Sequence, residues 1–304
     1  MTTIRVAMTQ TCNAYADMPD SVEALPALAT RLEAIREANL QHHVELLTAA
    51  HNAGAQIVGL GELFSAPYFA LRRDAFWKNL AESAESGPTV QRLRRCAKDL
   101  QLVLIVPIYE YTSGGLFNTA VVIDADGQVL GKYRKCHIPQ GENEQGSFDE
   151  VFYYGRSDGQ SYSNIPQTKG YFPVFNTAVG RVGVSICYDR HFEGVVAALV
   201  RGGAQLIFSP AVTFGEKSRR MWDIEFEVDA ARHRVFIGGS NRCGIEKPWN
   251  QEYFGQSHFV GPNGRLENKS THTNLVIADI DLGQLDRPDS SGWDLGRDAR
   301  PDIY

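Results

Sequence analysis

The sequence predicts an α/β protein with a partly parallel sheet. Between Arg181 and Ser240, period-two apolar segments alternate with helical ones in the order strand, helix, strand, helix, strand, which describes consecutive βαβ units. The chain has 304 residues, 43% hydrophobic and 22% charged, so it can bury a sizeable core without disulfide staples. No short-period repeat, low-complexity tract or linker interrupts these patterns, so a single domain over 1–304 is expected. Within it, the polar tail at about 284–304 is expected to lie across another surface, that of a second subunit.

Charge and composition exclude several classes. A net charge of −6 and a pI near 5.8 argue against a phosphate-tracking surface, so nucleic acid is not an expected partner. No apolar run approaches the length that spans a bilayer, and the N-terminus lacks a basic flank followed by an apolar stretch. A cytoplasmic protein without a membrane partner is expected. Cys12, Cys96, Cys136, Cys187 and Cys243 are odd in number and scattered, which favours reduced thiols.

Taken in order, Ile4 to Thr9 alternates as a first strand, and residues 11–28 read as a loop carrying a short helix. From about Thr30 to Ala53, Leu32, Ile35, Leu40, Val44 and Leu47 fall at helical spacing, with Gly54 as the stop. Ala55 to Leu60 is a short apolar strand ending at Gly61-Glu62-Leu63-Phe64. Glu62 at a strand end is either an exposed loop carboxylate or a group with a job, because burying a charge is costly. Pro88 to Leu100 reads as a helix, and Leu102 to Tyr109, Phe117 to Ile123 and Val129-Leu130 as antiparallel strands. Lys132 to Pro139 follows, and its basic residues are either an edge device or, at Lys135, a fixed ammonium able to stabilise an oxyanion.

Residues 140–180 are rich in Gly, Ser, Asn and Gln and predict a long, mostly irregular excursion, including a distinctive insertion at 155–170. The strand from Val182 then ends on Cys187, ahead of a helix from about Glu193 to Arg201. A thiol at such a turn is either a small buried hydrophobe or a nucleophile whose pKa is lowered by the helix N-terminus. A strand at Gln205 to Ser209, one helix from about Ser218 to Arg234, a strand to Ser240 and a closing meander to Ile280 complete the chain.

Glu62, Lys135 and Cys187 each follow a strand-like segment. Ligands bind at the carboxyl ends of strands in an α/β sheet, so the three can share one pocket. The chemistry is coherent: a thiol attacks a carbonyl carbon, a carboxylate carries its proton to the leaving nitrogen, and an ammonium with the Tyr188 amide stabilises the oxyanion. Here the chain resembles the nitrilase (carbon-nitrogen hydrolase) superfamily, whose Glu-Lys-Cys triad matches Glu62 in Gly-Glu-Leu-Phe, Lys135 in Tyr-Arg-Lys-Cys-His and Cys187 in Ile-Cys-Tyr-Asp. The resemblance runs from the first strand to the tail. It implies a four-layer αββα sandwich, a covalent thioester intermediate, no metal or organic cofactor, and a homodimer or larger homo-oligomer. It also implies that Glu150, in Gly-Ser-Phe-Asp-Glu, is the family's second glutamate, which positions the lysine.

Tyr188-Asp189 after the cysteine resembles the amidase and carbamoylase branches, whereas true nitrilases usually show Trp-Glu. With Arg190-His191, the segment looks most like β-ureidopropionase and related N-carbamoyl amino acid hydrolases. That resemblance implies a small N-carbamoyl acid substrate, with Tyr188, Arg190 and His191 binding it. Arg190 either clamps a substrate carboxylate by two charge-assisted hydrogen bonds or pairs with a protein carboxylate such as Asp189 or Glu193. The alternatives are an amidase for an uncharged amide or a carbamoyl polyamine and, lower, a non-catalytic scaffold. Cys136-His137 and Cys187 with His191 match no common zinc spacing, so no metal is expected.

Overall fold

A computed structural model describes residues 3–159, 170–300 and 302–303. The first half contains β1 (Thr3–Thr9), α1 (Leu32–Asn52), β2 (Ile57–Gly59), α2 (Pro88–Leu100), β3 (Val103–Thr112), β4 (Gly115–Ile123) and β5 (Val129–Arg134). A hairpin of β6 (Gln140–Asn143) and β7 (Gly146–Asp149) leads to β8 (Val174–Thr177) and β9 (Gly180–Val184). Next come α3 (Glu193–Arg201), β10 (Leu206–Ala211), α4 (Glu216–Trp222), α5 (Glu225–His233) and β11 (Phe236–Asn241). The chain closes with β12 (Cys243–Glu246), β13 (Gln251–Phe254), β14 (His258–Gly261), β15 (Gly264–Arg265), β16 (Leu275–Asp281) and α6 (Leu295–Asp298).

Two six-stranded sheets form, in the orders β16-β1-β2-β3-β4-β5 and β15-β14-β11-β10-β9-β8. The centre of each is parallel, β1-β2-β3 in one and β9-β10-β11 in the other, and the flanking pairs are antiparallel. Side-chain alternation assigns the layers. Val6, Met8, Ile57, Val103 and Ile105 face a core shared with Val182, Val184, Leu206 and Phe208 of the second sheet. Their neighbours Ala7, Val58, Leu104 and Val106 face Leu46, Leu47, Leu93 and Ala97 of α1 and α2. On the far side, Leu199 of α3 and Phe226 and Ala230 of α5 cover the second sheet. The result is the α/β sandwich of four layers, αββα.

The layers approach closely at glycine, sheet against sheet at Gly59 and sheet against α5 at Gly239. A Cβ on Gly59 would lie 2.4 Å from Phe208 Cδ1, and one on Gly239 would lie 2.4 Å from Phe226 Cε2. Both positions need hydrogen at Cα for the layers to meet.

Several expectations are corrected. The 140–180 excursion holds the β6–β7 hairpin and β8; the Asn143 side chain accepts the amides of Gln145 and Gly146 at 2.9 and 3.3 Å, an Asx-type turn that sets the hairpin. Part of the insertion expected at 155–170, residues 160–169, lies outside the described residues. The helix expected over 218–234 is two helices, because the chain tightens where the Ile224 amide bonds Met221 O at 3.0 Å. The closing meander is not one unit: β14 and β15 join the second sheet, while β16 crosses to pair with β1. The strand before Cys187 ends at Val184, and a single 3-10 turn, Cys187–His191, precedes α3. Beyond Arg287 the tail is largely exposed, Trp293 at 70%. Among the described residues no helix is long and apolar enough to cross a membrane.

Gly59→Ala and Gly239→Ala should each cost about 1–3 kcal/mol through overpacking. Urea unfolding checks this, and midpoints equal to the parent's would contradict the close approach.

Candidate active site

Each of the three residues sits just past a strand end. Glu62 follows β2, Lys135 follows β5 and Cys187 follows β9, and all three are buried. Their backbones are held locally: Gly61 N donates to Thr9 Oγ1 at 3.1 Å, and Lys135 N to Asn118 O at 2.9 Å. Leu63 and Cys187 both adopt left-handed backbone, φ 48° and 50°, as do few residues other than glycine.

Lys135 is fully buried between two carboxylates. Its Nζ donates to Glu62 Oε1 at 2.8 Å and to Glu150 Oε2 at 2.6 Å. Burial works against the ammonium, but Glu150 and Glu62 outweigh it and hold its pKa above the usual lysine value. Glu62 accepts two further bonds, from Asn118 Nδ2 at 2.7 Å and from the Val212 amide, just past β10, at 2.7 Å. Glu150 accepts from the Tyr68 hydroxyl at 2.7 Å; burial pushes its carboxyl up, opposed by Lys135 and reinforced by Glu62.

The thiol itself departs from expectation. Burial, then the charge of Glu62, pushes Cys187 up to about 12 against the pull of Lys135 and Arg190. The expected lowering by a helix N-terminus is overturned, because the long helix begins six residues later, at Glu193, and Cys187 opens only a one-turn segment. Its Sγ lies 3.5 Å from Val212 O, the residue whose amide holds Glu62.

A cleft of about 470 Å³ opens onto Cys187, lined by Tyr68, Glu150, Tyr188, Arg190, His191 and Thr213 among others. Glu142 and Glu144 reach it from the β6–β7 hairpin, and Lys217 and Glu225 from the helical side. All seven residues singled out in the sequence therefore line this cleft or lie beneath it. Arg190 does not pair with Asp189 or Glu193. Its Nε lies 3.2 Å from Glu225 Oε2, while Nη1 donates to Cys187 O at 2.9 Å and Nη2 to Thr213 Oγ1 at 3.2 Å. Neighbours on one helical turn point apart, so Asp189 serves another set. It accepts from Tyr133 OH at 2.5 Å, from the amides of Ile186 and His137 at 3.0 Å, and is 2.7 Å from His137 Nδ1. His191 Nδ1 lies 2.6 Å from Glu225 Oε1.

The basic segment before Lys135 is not an edge device. Lys132 and Arg134 both pair with the buried Glu110 of β3, anchoring the end of β5. Sequence reasoning missed Asn118, whose polar side chain inside an apolar strand was a usable signal, and Glu225, which reads as an ordinary first-turn helix carboxylate. Cys136 Sγ points to Tyr171 O at 3.8 Å and His137 to Asp189; among the described residues no group of three or more His, Cys, Asp or Glu is placed to hold a metal.

The profile of the carbon-nitrogen hydrolase family matches residues 26–287. An N-carbamoylputrescine amidase of Oryza sativa is 32% identical, covering 93% of this chain and 93% of that protein. A β-ureidopropionase of Arabidopsis thaliana is also 32% identical, over 85% of this chain and 64% of that protein. A carbon-nitrogen hydrolase of Helicobacter pylori shares the fold, with a TM-score of 0.79 at 23% identity over 99% of this chain and 97% of its own.

With its pKa raised, the thiol should stay protonated at neutral pH. The 240 nm difference spectrum between the parent and Cys187→Ala should show no thiolate step through the ordinary cysteine range, about pH 8–9. A step there would mean a preformed thiolate.

Proposed function

The chain belongs to the carbon-nitrogen hydrolase family and is an amidohydrolase acting on small molecules; from that premise we propose that it cleaves N-carbamoyl compounds through a thioester on Cys187. The observation that carries this reading is the single buried cluster in which Lys135 bridges Glu62 and Glu150 beside the thiol.

Glu62 is the base. It takes the thiol proton as Sγ attacks the carbamoyl carbon, which avoids a free thiolate in a site where burial disfavours one. Two of the three Lys135 N–H groups are spent on carboxylates, leaving the third for the oxyanion. Collapse passes the proton from Glu62 to the departing nitrogen and releases ammonia. Water, activated by the same carboxylate, then hydrolyses the S-carbamoyl enzyme to a carbamic acid, which loses carbon dioxide to give the amine. Glu150, held by Tyr68, keeps the ammonium in place.

The distal group of the substrate follows from the charges around the cleft. An N-carbamoyl acid such as N-carbamoyl-β-alanine would need Arg190 to exchange Glu225 for the substrate carboxylate. An N-carbamoyl amine meets a different surface: Arg190 is already paired with Glu225, and the exposed Glu142 and Glu144 line the cleft against one further cation, Lys217. The ammonium-bearing substrate is the version these contacts favour; the relatives at 32% identity include both an N-carbamoylputrescine amidase and a β-ureidopropionase and do not separate the two.

A panel of N-carbamoylputrescine, N-carbamoyl-β-alanine, an aliphatic amide and a nitrile should release ammonia fastest from the first. Turnover of the simple amide without either N-carbamoyl compound would sink the proposal. Intact mass with a slow substrate should show a carbamoyl adduct that Cys187→Ala lacks, and Glu62→Gln should lower kcat by about 10²–10⁴-fold. Glu142→Gln should raise KM for the cationic substrate about two- to fivefold, the size of an exposed ion pair, and leave the neutral amide unchanged.

A further inference from the structure

Arg242 and Glu246 form a buried ion pair that does not line the cleft. Arg242 lies between β11 and β12, and Glu246 closes β12. From there the Arg242 guanidinium reaches the turn that carries Glu62: Nη2 lies 3.3 Å from Glu62 O, 3.1 Å from Leu63 O and 2.8 Å from Ala66 O. Those three carbonyls converge because Leu63 takes the left-handed backbone noted above, and buried carbonyls need a donor.

Glu246 extends the arrangement to the other carboxylate. It accepts the Tyr68 amide at 2.9 Å, and the hydroxyl of that same Tyr68 donates to Glu150 Oε1 at 2.7 Å. It also accepts the Asn13 amide at 2.8 Å, tying down the loop after β1. One ion pair therefore touches the backbone on both sides of the site, at Glu62 directly and at Glu150 through Tyr68.

A buried ion pair is a poor source of stability, since desolvation offsets most of its attraction and an apolar pair of similar volume often does as well. What a guanidinium supplies here is a fixed fork of donors that an apolar side chain or an ammonium cannot reproduce. We propose that Arg242, braced by Glu246, is a positioning residue that sets the two carboxylates of the site against Lys135. The proposal rests on the roles given above to Glu62 and Glu150.

The test uses Arg242→Lys and Glu246→Gln in the full chain, with kcat and KM per folded molecule, the pH profile of kcat, and the rate of Cys187 alkylation by iodoacetamide. Misplacing a general base by a fraction of an ångström to one ångström costs up to about 10²-fold, so kcat should fall about 10–100-fold with KM within about twofold. The acidic limb of the profile should move, and alkylation should slow in parallel. Normal kcat, profile and alkylation with only a lower Tm would overturn the proposal and leave the pair a purely structural one. If Arg242→Lys does not fold, Glu246→Gln decides alone, because it keeps the shape while removing the charge that braces the guanidinium and one of the two accepting oxygens. Activity surviving in Glu62→Gln or Cys187→Ala of the parent would instead overturn the catalytic assignment, which separates the two failures.

Discussion

The Lys135 ammonium, wholly out of water between Glu62 and Glu150, is the constraint on which the site depends. A lone buried ammonium would shed its proton, and two buried carboxylates side by side would not both ionise. The ammonium draws both carboxylates to it, at the cost of a raised thiol, since burial and the Glu62 charge outweigh the pull of Lys135 on Cys187. That cost has a chemical use. In the proposed mechanism Cys187 stays a neutral thiol, raised by burial and the Glu62 charge, until a carbonyl carbon is there to receive the sulfur and Glu62 takes the proton.

Holding such a cluster requires rigid surroundings, and the sandwich provides them from several directions. Strand ends of both sheets deliver the residues: β2 and β5 from one, β9 and β10 from the other. The second line of contacts is equally buried. Glu110 gathers Lys132 and Arg134 below the end of β5, and Asp189 gathers Tyr133, His137 and the Ile186 amide beside the nucleophile turn. Asp189 therefore ties the segment carrying Lys135 to the one carrying Cys187, across the two sheets.

Selectivity is assigned to a softer layer. The β6–β7 hairpin, set by one Asx-type turn and held to the helical side through Asn143 Nδ2 to Phe214 O at 3.3 Å, carries Glu142 and Glu144 to the mouth. Arg190, also in the lining, shares Glu225 with His191. In the proposed reading, substrate charge is met by the β6–β7 hairpin and the helical side, while the bond-breaking groups sit just past strand ends.

Much was legible from the amino-acid order because it is written locally. Period-two and helical spacing located the central strands of both sheets, α1, α2 and α3, and Glu62, Lys135 and Cys187 announced themselves by residue type at the ends of strand-like segments. Polar hairpins such as β6–β7 and β12–β13 carry no such periodicity and were not legible, since a turn geometry and not a buried face sets them. Partnerships were decided only in three dimensions. Arg190 finds Glu225, 35 positions away, and Arg242 finds the turn at Glu62, 180 positions away, because sheet packing brings those segments together. The same packing decided the state of Cys187: a local reading placed it beside a helix dipole, but burial and the Glu62 charge, both products of the folded chain, outweigh that effect.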